Sequence, residues 1–336
     1  MSAPAAAAYL FALSESGALA EALSRESAVA LGALEERRFE GGEFKLRPLE
    51  SVRDRTVFVL QSLAESAAAS VSDRLLRLLF LLQGLRDAGA TRRVAIVPYL
   101  AFARKDRRTQ LRDPVTSRYV AELLEAAGTE RLMALDVHNP AALDNAFRVP
   151  VDHLSALPMM AAHFAQQHAD APLCVVSPDV GGIKRAQLLR ELLESRVGRE
   201  VQLAFLEKRR ALGVVSGGTL VGAVAGTRVI VIDDLCATGG TLIRAAEACQ
   251  RSGAAAVQVA VTHAPLAAGL KTVLAAPSIA SVVVTDSALT APSVHGSASK
   301  LVVLPVAPLL GQAVRRMVAG RPLAPLLTHW PVRFED

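Results

Sequence analysis

The 336-residue sequence has few aromatic residues, few cysteines and no apolar run of membrane-spanning length. Aromatic side chains make up 4% of the chain and are not interleaved with its basic clusters, which therefore suit phosphate groups better than a nucleic-acid track. The three cysteines, Cys174, Cys236 and Cys249, show no metal-binding or redox spacing, which favours a reduced, cytoplasmic protein. We therefore expect neither a nucleic acid nor a membrane as a partner.

Two sequence signals are also missing. The apolar start at 5–13 lacks the basic region that opens a signal peptide, so we expect it to form the first strand. No Gly-x-x-x-x-Gly-Lys-Ser/Thr sequence occurs, which excludes a P-loop kinase. The hydrophobic content of 51% exceeds what an ordinary monomer needs, and it favours buried contacts between subunits.

Strand and helix patterns alternate along the whole chain, which predicts an α/β fold with mainly parallel sheets flanked by helices. The predicted strands are 56–62, 92–98, 131–137, 173–177, 201–207, 227–233, 256–262 and 280–285. The predicted helices include 71–88, 115–127, 182–195 and 239–252. The series divides near Pro150 and Pro158, so we predict two similar domains in tandem, residues 1–155 and 156–336.

The most informative segment is 229–241, where an apolar strand ends in two carboxylates and a Thr-Gly-Gly-Thr loop opens a helix. A buried parallel strand delivers such a loop to the carboxyl edge of a sheet, where open α/β folds bind ligands. The glycines allow backbone N–H groups to surround a phosphate at the helix N-terminus. The acids, Asp233 and Asp234, suit sugar hydroxyls or a Mg²⁺ that accompanies polyphosphate. A solvated acidic turn is the weaker alternative.

This segment resembles the phosphoribosyl-diphosphate motif shared by type I phosphoribosyltransferases and ribose-phosphate diphosphokinases. The rest of the chain separates the two families, because further segments from about residue 35 to about residue 320 resemble only the diphosphokinases. These segments are 39–43, 50–53, 98–108, 136–138, 150–154, 177–185 and 207–210. The resemblance implies two tandem type I phosphoribosyltransferase-like domains, with the nucleotide on the N-terminal domain and ribose 5-phosphate on the C-terminal domain.

The resemblance also implies roles for individual residues. The nucleotide would contact Phe39, Gly41, Glu43, Arg104, Lys105 and Asp106. Ribose 5-phosphate would contact Asp233, Asp234, Ala237, Thr238, Gly239, Gly240 and Thr241. Lys208 and Arg210 would stabilise the transferring phosphates, while His138 and Asp179 would hold Mg²⁺. The substrates would be ATP and ribose 5-phosphate, and the family implies a homo-oligomer, a dimer or hexamer, with an active site shared between subunits.

Three positions depart from the family pattern. The family usually has Asp or Asn at position 41, Gln at 105 and a third Asp at 237, whereas this chain has Gly41, Lys105 and Ala237. Two alternatives therefore stay open beside the diphosphokinase. One is a phosphoribosyltransferase that uses phosphoribosyl diphosphate, and the other is a weakly catalytic subunit that regulates an active paralogue. The glycine-rich stretch 211–219 is predicted to be a mobile loop that closes over substrates.

Overall fold

The structure is a computed structural model that describes residues 8–211, 214–288 and 300–331, with the backbone alone for 208–211 and 214–218. The chain divides into two compact units. Unit 1 consists of Met1–Leu154 and Val306–Leu323, and unit 2 consists of Ser155–Pro305 and Ala324–Asp336. The stretch Val306–Leu323 thus belongs to unit 1, whereas the sequence-based division assigned it to the second domain.

Among the described residues, unit 1 contains a parallel sheet of six strands and a separate two-stranded hairpin. In chain order the strands are β1 (Tyr9–Ala12), β2 (Ala30–Leu31), β3 (Leu34–Arg38), β4 (Phe44–Pro48), β5 (Thr56–Leu60), β6 (Arg92–Val97), β7 (Arg131–Leu135) and β8 (Val151–Leu154). The spatial order in the sheet is β2-β1-β5-β6-β7-β8, and β3 pairs with β4 antiparallel as the hairpin. The central strands are continuous apolar runs because helices cover both faces of a parallel sheet.

The described part of unit 2 contains a seven-stranded sheet. Its strands are β9 (Leu173–Ser177), β10 (Gln202–Ala211), β11 (Val214–Val221), β12 (Arg228–Leu235), β13 (Ala256–His263), β14 (Ser281–Thr285) and β15 (Leu301–Leu304). The spatial order is β11-β10-β9-β12-β13-β14-β15, and all pairs are parallel except β10 with β11. From β10 to β15 this order repeats the order of the unit 1 sheet from β2 to β8, so the predicted tandem fold is confirmed.

Helices connect the strands of both units. They are α1 (Gly17–Ser27), α2 (Val71–Asp87), α3 (Thr116–Ala126), α4 (Pro140–Ala146), α5 (Leu157–Gln167), α6 (Ile183–Val197), α7 (Gly240–Arg251), α8 (Ala267–Ala275), α9 (Ala307–Val318) and α10 (Pro325–Thr328). The helix α9 packs on α1, and Gly311 allows the close approach because a Cβ there would lie 2.3 Å from the Cβ of Glu26. This contact accounts for the membership of α9 in unit 1.

Each unit has its own hydrophobic core. In unit 1 the buried side chains of the strands pack against the apolar face of α2, as Val59 and Leu82 illustrate. In unit 2 the core joins the strands to α7 and α8, with Val231 and Leu270 fully buried. Within the described ranges no helix is long and apolar enough to cross a membrane.

Candidate active site

The strand β12 delivers its two acids to the carboxyl edge of the unit 2 sheet. Its apolar residues 229–232 are fully buried between β9 and β13. Asp233 is half-buried and Asp234 is buried. The apolar run fixes the strand in the middle of the sheet, and the acids therefore lie where parallel strands end and ligands bind.

Asp233 and Asp234, the acid pair, both lie close to the guanidinium group of Arg185. The Nη1 atom of Arg185, on α6, lies 3.5 Å from Oδ1 of Asp233 and 3.3 Å from Oδ1 of Asp234. The backbone N–H of Asp234 donates to Oδ1 of Asp233 over 2.9 Å. Burial is the main cause that raises the pKa of Asp233 to about 8, and the neighbouring Asp234 adds to it, while Arg185 opposes the shift. Because two close carboxylates repel each other, the form of the pair in which both carry a charge is disfavoured.

The loop 237–241 joins β12 to α7. Gly239 is the N-cap of α7 and has a φ of +81°, a backbone conformation that other residues adopt only with strain. Thr238 is exposed, and the hydroxyl of Thr241 accepts a hydrogen bond of 3.2 Å from Arg244. A partly solvent-accessible helix N-terminus that begins at a left-handed glycine is a suitable site for an anion such as phosphate.

Asp179 also follows a strand of the unit 2 sheet, β9. Its Oδ1 accepts a hydrogen bond of 3.2 Å from the N–H of Gly182, and its carbonyl accepts one of 2.6 Å from the hydroxyl of Ser177. A Cβ at Gly182 would lie 2.6 Å from the Ser177 hydroxyl oxygen, so the turn requires glycine. The same segment continues into α6, which carries Arg185. The structure thus brings this segment to the acid pair.

Lys208 and Arg210 lie in β10, near the edge of the same sheet. The pairing of β10 with β11 shifts register between Glu207 and Arg209, so a bulge falls at Lys208. The side chains of both predicted catalytic residues lie outside the described atoms. The stretch 211–219 was predicted to be a loop, but Ala211 and 214–219 are strand, and 212–213 lie outside the described residues. Its mobility and its closure over substrates stay predictions. The glycine-rich composition indicated a loop, but β10 and β11 pair antiparallel and form a hairpin.

In unit 1, the predicted nucleotide loop follows β6. Asp113 organises this loop, because its Oδ2 accepts hydrogen bonds from the N–H groups of Thr109 and Gln110, each at 2.9 Å. The same oxygen pairs with the ammonium group of Lys105, which also lies 3.0 Å from the Thr109 hydroxyl. The Lys105 ammonium and these donors hold the pKa of Asp113 well below its usual range. Sequence reasoning missed Asp113, whose only signal was its position at the end of a basic loop.

A direct hydrogen bond links the nucleotide loop to the predicted metal ligand of unit 1. The amide of Asn139 donates to Oδ2 of Asp106 over 2.6 Å and also caps α4, where it accepts from Ala142 at 3.2 Å. His138 is the preceding residue and is exposed. The N–H of Val137 donates to Nε2 of His153 over 3.0 Å. These contacts fix the backbone on both sides of His138, and they place the following residue, Asn139, next to Asp106.

Phe39, Gly41 and Glu43 lie at the tip of the β3–β4 hairpin. The N–H of Phe39 donates to the carbonyl of Glu43 over 2.8 Å, and the guanidinium of Arg37 lies 4.9 Å from the centre of the Phe39 ring. Phe39 is 41% exposed to solvent. Gly41 has a φ of +85°, and a Cβ there would meet nothing within 4 Å. The three residues are close together at the end of a projecting hairpin.

Buried ion pairs attach this hairpin to α2. Arg77, on α2, pairs with Glu36 of the hairpin and with Glu15 of the loop after β1. All three side chains are mostly buried, so the pairs are shielded from solvent and fix the direction in which the hairpin projects.

The structure therefore assembles the predicted residues in two groups. Unit 2 brings together Asp179, the acid pair and the loop 237–241, and unit 1 brings together Asp106 and His138. The predicted Mg²⁺ ligands, His138 and Asp179, belong to different units. Among the described side chains, no group of three or more His, Cys, Asp or Glu residues could hold a metal ion.

Comparison with known proteins agrees with this geometry. Residues 8–128 match the N-terminal domain of ribose phosphate pyrophosphokinase, and residues 151–279 match the phosphoribosyl transferase domain. The fold and the site thus define a protein of the phosphoribosyltransferase type with two such domains.

Individual relatives extend the match over nearly the whole chain. Ribose-phosphate pyrophosphokinase 1 of Streptococcus pneumoniae is 35% identical over 94% of this chain and 96% of its own length. The ribose-phosphate pyrophosphokinase of Maricaulis maris is 38% identical over 83% of this chain and 87% of its own length. The crystal structure of phosphoribosylpyrophosphate synthetase from Mycobacterium smegmatis has a TM-score of 0.81 at 32% identity, covering 93% of this chain and 99% of that one. The chain belongs to the ribose-phosphate pyrophosphokinase family, and the predicted family, fold class and enzyme class are confirmed.

Proposed function

We propose that the chain transfers the diphosphoryl group of ATP to the anomeric hydroxyl of ribose 5-phosphate, giving 5-phosphoribosyl 1-diphosphate and AMP. The hydroxyl oxygen forms a bond to the β-phosphorus and loses its proton, while the bond from that phosphorus to the oxygen of AMP breaks. The observation that carries the proposal is the loop after β12, where an acid pair precedes a phosphate-sized turn at a helix N-terminus, in a chain that matches the family over 94% of its length.

Ribose 5-phosphate is held by the end of β12 and the start of α7. The carboxyl groups of Asp233 and Asp234 accept hydrogen bonds from the sugar hydroxyls, and Arg185 compensates negative charge on the pair. The backbone N–H groups around Gly239 bind the 5-phosphate. Asp233 can donate through its proton as well as accept, because its pKa is raised to about 8.

The nucleotide is held by the unit 1 loop that Asp113 organises, with Arg104 and Asp106 on its phosphate and ribose side. Phe39 supplies an aromatic face for adenine, and its exposure at a hairpin tip suits a base that stacks from outside the hairpin. Lys105 acts through the loop rather than on the nucleotide, since its ammonium group is paired with Asp113.

Asp179 and His138 each suit a Mg²⁺ whose remaining ligands are polyphosphate oxygens. Asp179 supplies a carboxylate in the turn after β9, where Gly182 has no room for a side chain. His138 supplies an imidazole on an exposed loop. Mg²⁺ commonly takes one or two protein ligands together with substrate phosphates, as such a sparse donor set requires. When bound, the ion neutralises charge on the transferring phosphates. Lys208 and Arg210 add fixed positive charge for the transition state.

A plain phosphoribosyltransferase does not account for the match of residues 8–128 to the N-terminal domain of the pyrophosphokinases. A weakly catalytic subunit has one observation in its favour, which is the capture of Lys105 by Asp113 at a position where the family usually has glutamine. Such a protein would bind both substrates and turn them over slowly.

The test is to incubate the purified protein with ATP, Mg²⁺ and ribose 5-phosphate and to separate the nucleotides and the sugar products. We expect AMP and phosphoribosyl diphosphate in equal amounts, and neither when one component is omitted. The double variant Lys208→Ala/Arg210→Ala, purified in the same way, controls for a contaminating host enzyme. Formation of ADP would refute the proposal, and binding of both substrates without AMP would favour the weakly catalytic subunit.

We also propose that the protein is cytoplasmic and forms a homo-oligomer, a dimer or hexamer, in which the hairpin tip of one subunit completes the site of another. The exposed Phe39 and Gly41 at the tip support this proposal. Light scattering during dilution tests it, since dissociation should abolish turnover at the same protein concentration. A fully active monomer would contradict the shared site and leave the reaction unaffected.

A further inference from the structure

The loop that opens α7 rests on the first turn of the neighbouring helix, α8. Gly269 is the closest point of contact. A Cβ built on it would lie 1.8 Å from the carbonyl oxygen of Ala237 and 3.2 Å from the Cα of Thr238. No Cβ atom approaches backbone so closely, so any side chain at position 269 would displace the loop or the helix. Glycine is otherwise among the least favourable residues in a helix, and its backbone here has no left-handed φ that would require it.

The contact is reciprocal. A Cβ on Gly239 would lie 2.5 Å from Cγ2 of Val273 and 3.0 Å from the carbonyl oxygen of Gly269. Gly269 and Val273 are four residues apart and lie on one face of α8. Both are buried. The loop and the helix thus each lack a side chain at the point where the other approaches, and the separation between them is set by backbone contact.

The other side of the loop is held by β13. The N–H of Cys236 donates to the carbonyl of His263 over 2.8 Å. The His263 ring lies 2.7 Å from the hydroxyl of Ser287, which in turn receives a hydrogen bond of 2.7 Å from Thr285. This buried polar network is rigid, so the start of the loop has little freedom to adjust. A displacement at α8 must then appear at 237–239, where the phosphate-binding turn begins.

We propose that Gly269 is a positioning residue that sets the location of the phosphate-binding turn 237–239, and thereby the affinity for the 5-phosphate of the sugar. The inference rests on the proposed function, because it assigns the turn to ribose 5-phosphate. Gly269 approaches the backbone that would hold the phosphate, and it acts through that backbone. Its effect is confined to one of the two substrates, since the nucleotide loop belongs to unit 1.

The test is Gly269→Ala, with steady-state kinetics in which each substrate is varied in turn. We expect KM for ribose 5-phosphate to rise by roughly 10- to 100-fold, because displacements of about 1 Å in a binding geometry have effects of this size. KM for ATP should change by less than about 2-fold. A general loss of structure would instead lower the active fraction without separating the two KM values. Calorimetric titration with inorganic phosphate gives a readout without turnover, and its affinity should fall in parallel.

The matched control is Gly84→Ala, in the interior of α2. A Cβ there meets nothing within 4 Å, so this variant makes the same chemical change in a helix without a contact. It should keep both KM values and gain slightly in stability. If Gly269→Ala does not fold, Val273→Ala replaces it, since loss of the methyl group beneath Gly239 loosens the same contact and should also raise KM for the sugar phosphate.

The possible outcomes distinguish the proposed reaction from the positioning role of Gly269. If the wild-type protein forms no AMP and binds neither ribose 5-phosphate nor phosphate, the proposed function fails first. If the wild-type protein is active and a folded Gly269→Ala variant keeps its KM for ribose 5-phosphate, the positioning role is refuted and the reaction stands. An equal rise in both KM values would also refute it.

Discussion

Replacement of Asp233 by asparagine should stabilise the free protein, by an amount that grows with pH. Asparagine keeps the shape of the side chain and removes its charge. Asp233 is the residue to change because burial and the charge of Asp234 raise its pKa to about 8 from the ordinary value of 3.8. A carboxyl group with a raised pKa is destabilising wherever the unfolded chain would be ionised.

The sign and the pH window follow from proton binding. Between the unfolded pKa of 3.8 and the folded pKa of about 8, the native state holds a proton on Asp233 that the unfolded chain has released. The contribution of Asp233 to the free energy of unfolding therefore falls as pH rises through this window. The Asp233→Asn variant does not lose stability in this way, because its side chain at position 233 does not ionise. The difference in free energy of unfolding between the two proteins should be near zero at about pH 4, increase up to about pH 8, and remain constant above.

The magnitude has an upper bound. A pH of 7 lies about 3 pH units above the unfolded-state pKa of Asp233. At 1.36 kcal/mol per unit, this corresponds to a loss of about 4 kcal/mol in the free energy of unfolding. The Asp233 side chain keeps 23% exposure and has Arg185 within 3.5 Å, so water and the guanidinium reduce the effect. We expect the Asp233→Asn variant to be more stable than the wild-type protein by about 2 kcal/mol at pH 7, which is large for a single substitution of a partly exposed residue.

Urea denaturation from about pH 4 to about pH 8.5, without ligands, measures this difference. The control is Asp87→Asn, because that carboxyl is 73% exposed at its side chain and should show a change within about 0.5 kcal/mol. A difference between the two proteins that does not depend on pH would refute the reasoning. The same variant should bind ribose 5-phosphate less tightly, because the sugar needs both acids.

Three further predictions concern turnover. Lys208→Ala and Arg210→Ala should each lower kcat by on the order of 10²-fold or more with a smaller effect on affinity for ribose 5-phosphate, and near-normal turnover in both would exclude a catalytic role. Asp234→Ala should raise KM for ribose 5-phosphate and leave nucleotide binding intact in an equilibrium titration, whereas equal losses would show that the two sites are wrongly divided. Asp113→Asn should raise KM for ATP alone, because the loop loses its ion pair with Lys105, and an unchanged KM would show that the loop holds without it.

The strands and the phosphate-binding loop were predictable because local patterns determine them. The predicted strand 227–233 is observed as Arg228–Leu235, and the predicted helix 239–252 as Gly240–Arg251. An apolar run of that length must lie inside a parallel sheet, and a Gly-Gly pair after it opens the next helix. The residues that follow the strand then lie at the ligand edge whatever the rest of the chain does.

The features that the sequence did not reveal depend on contacts between distant residues. Nothing near Arg185 indicates that its guanidinium lies between two acids about fifty positions away, and Gly269 is a single glycine in an apolar helix. The hairpin of β10 and β11 has the glycines of a loop, yet backbone pairing makes it strand. The placement of α9 in unit 1 likewise depends on its packing against α1 rather than on its position in the chain.

The three departures from the family pattern have a common physical character. Gly41 is at a left-handed backbone position that Asp and Asn also tolerate, so the turn keeps its conformation and loses a side chain. Lys105 is held by Asp113 within its own loop. Ala237 is seated against Gly269 through its carbonyl group, a contact that does not involve its side chain.

Each departure therefore preserves the backbone of a binding loop and changes one side chain on it. Backbone N–H groups and the acid pair Asp233 and Asp234, which carry the proposed phosphate and sugar contacts, are intact in all three cases. Substitutions of this kind change affinity for a substrate more than they change the fold or the transition state, because the groups proposed to respond to developing charge, Lys208 and Arg210, lie elsewhere. We accordingly expect restoration of Asp at position 237 to lower KM for ribose 5-phosphate with little change in kcat. A large rise in kcat, measured at saturation with both substrates, would instead place the missing carboxylate in the chemical step.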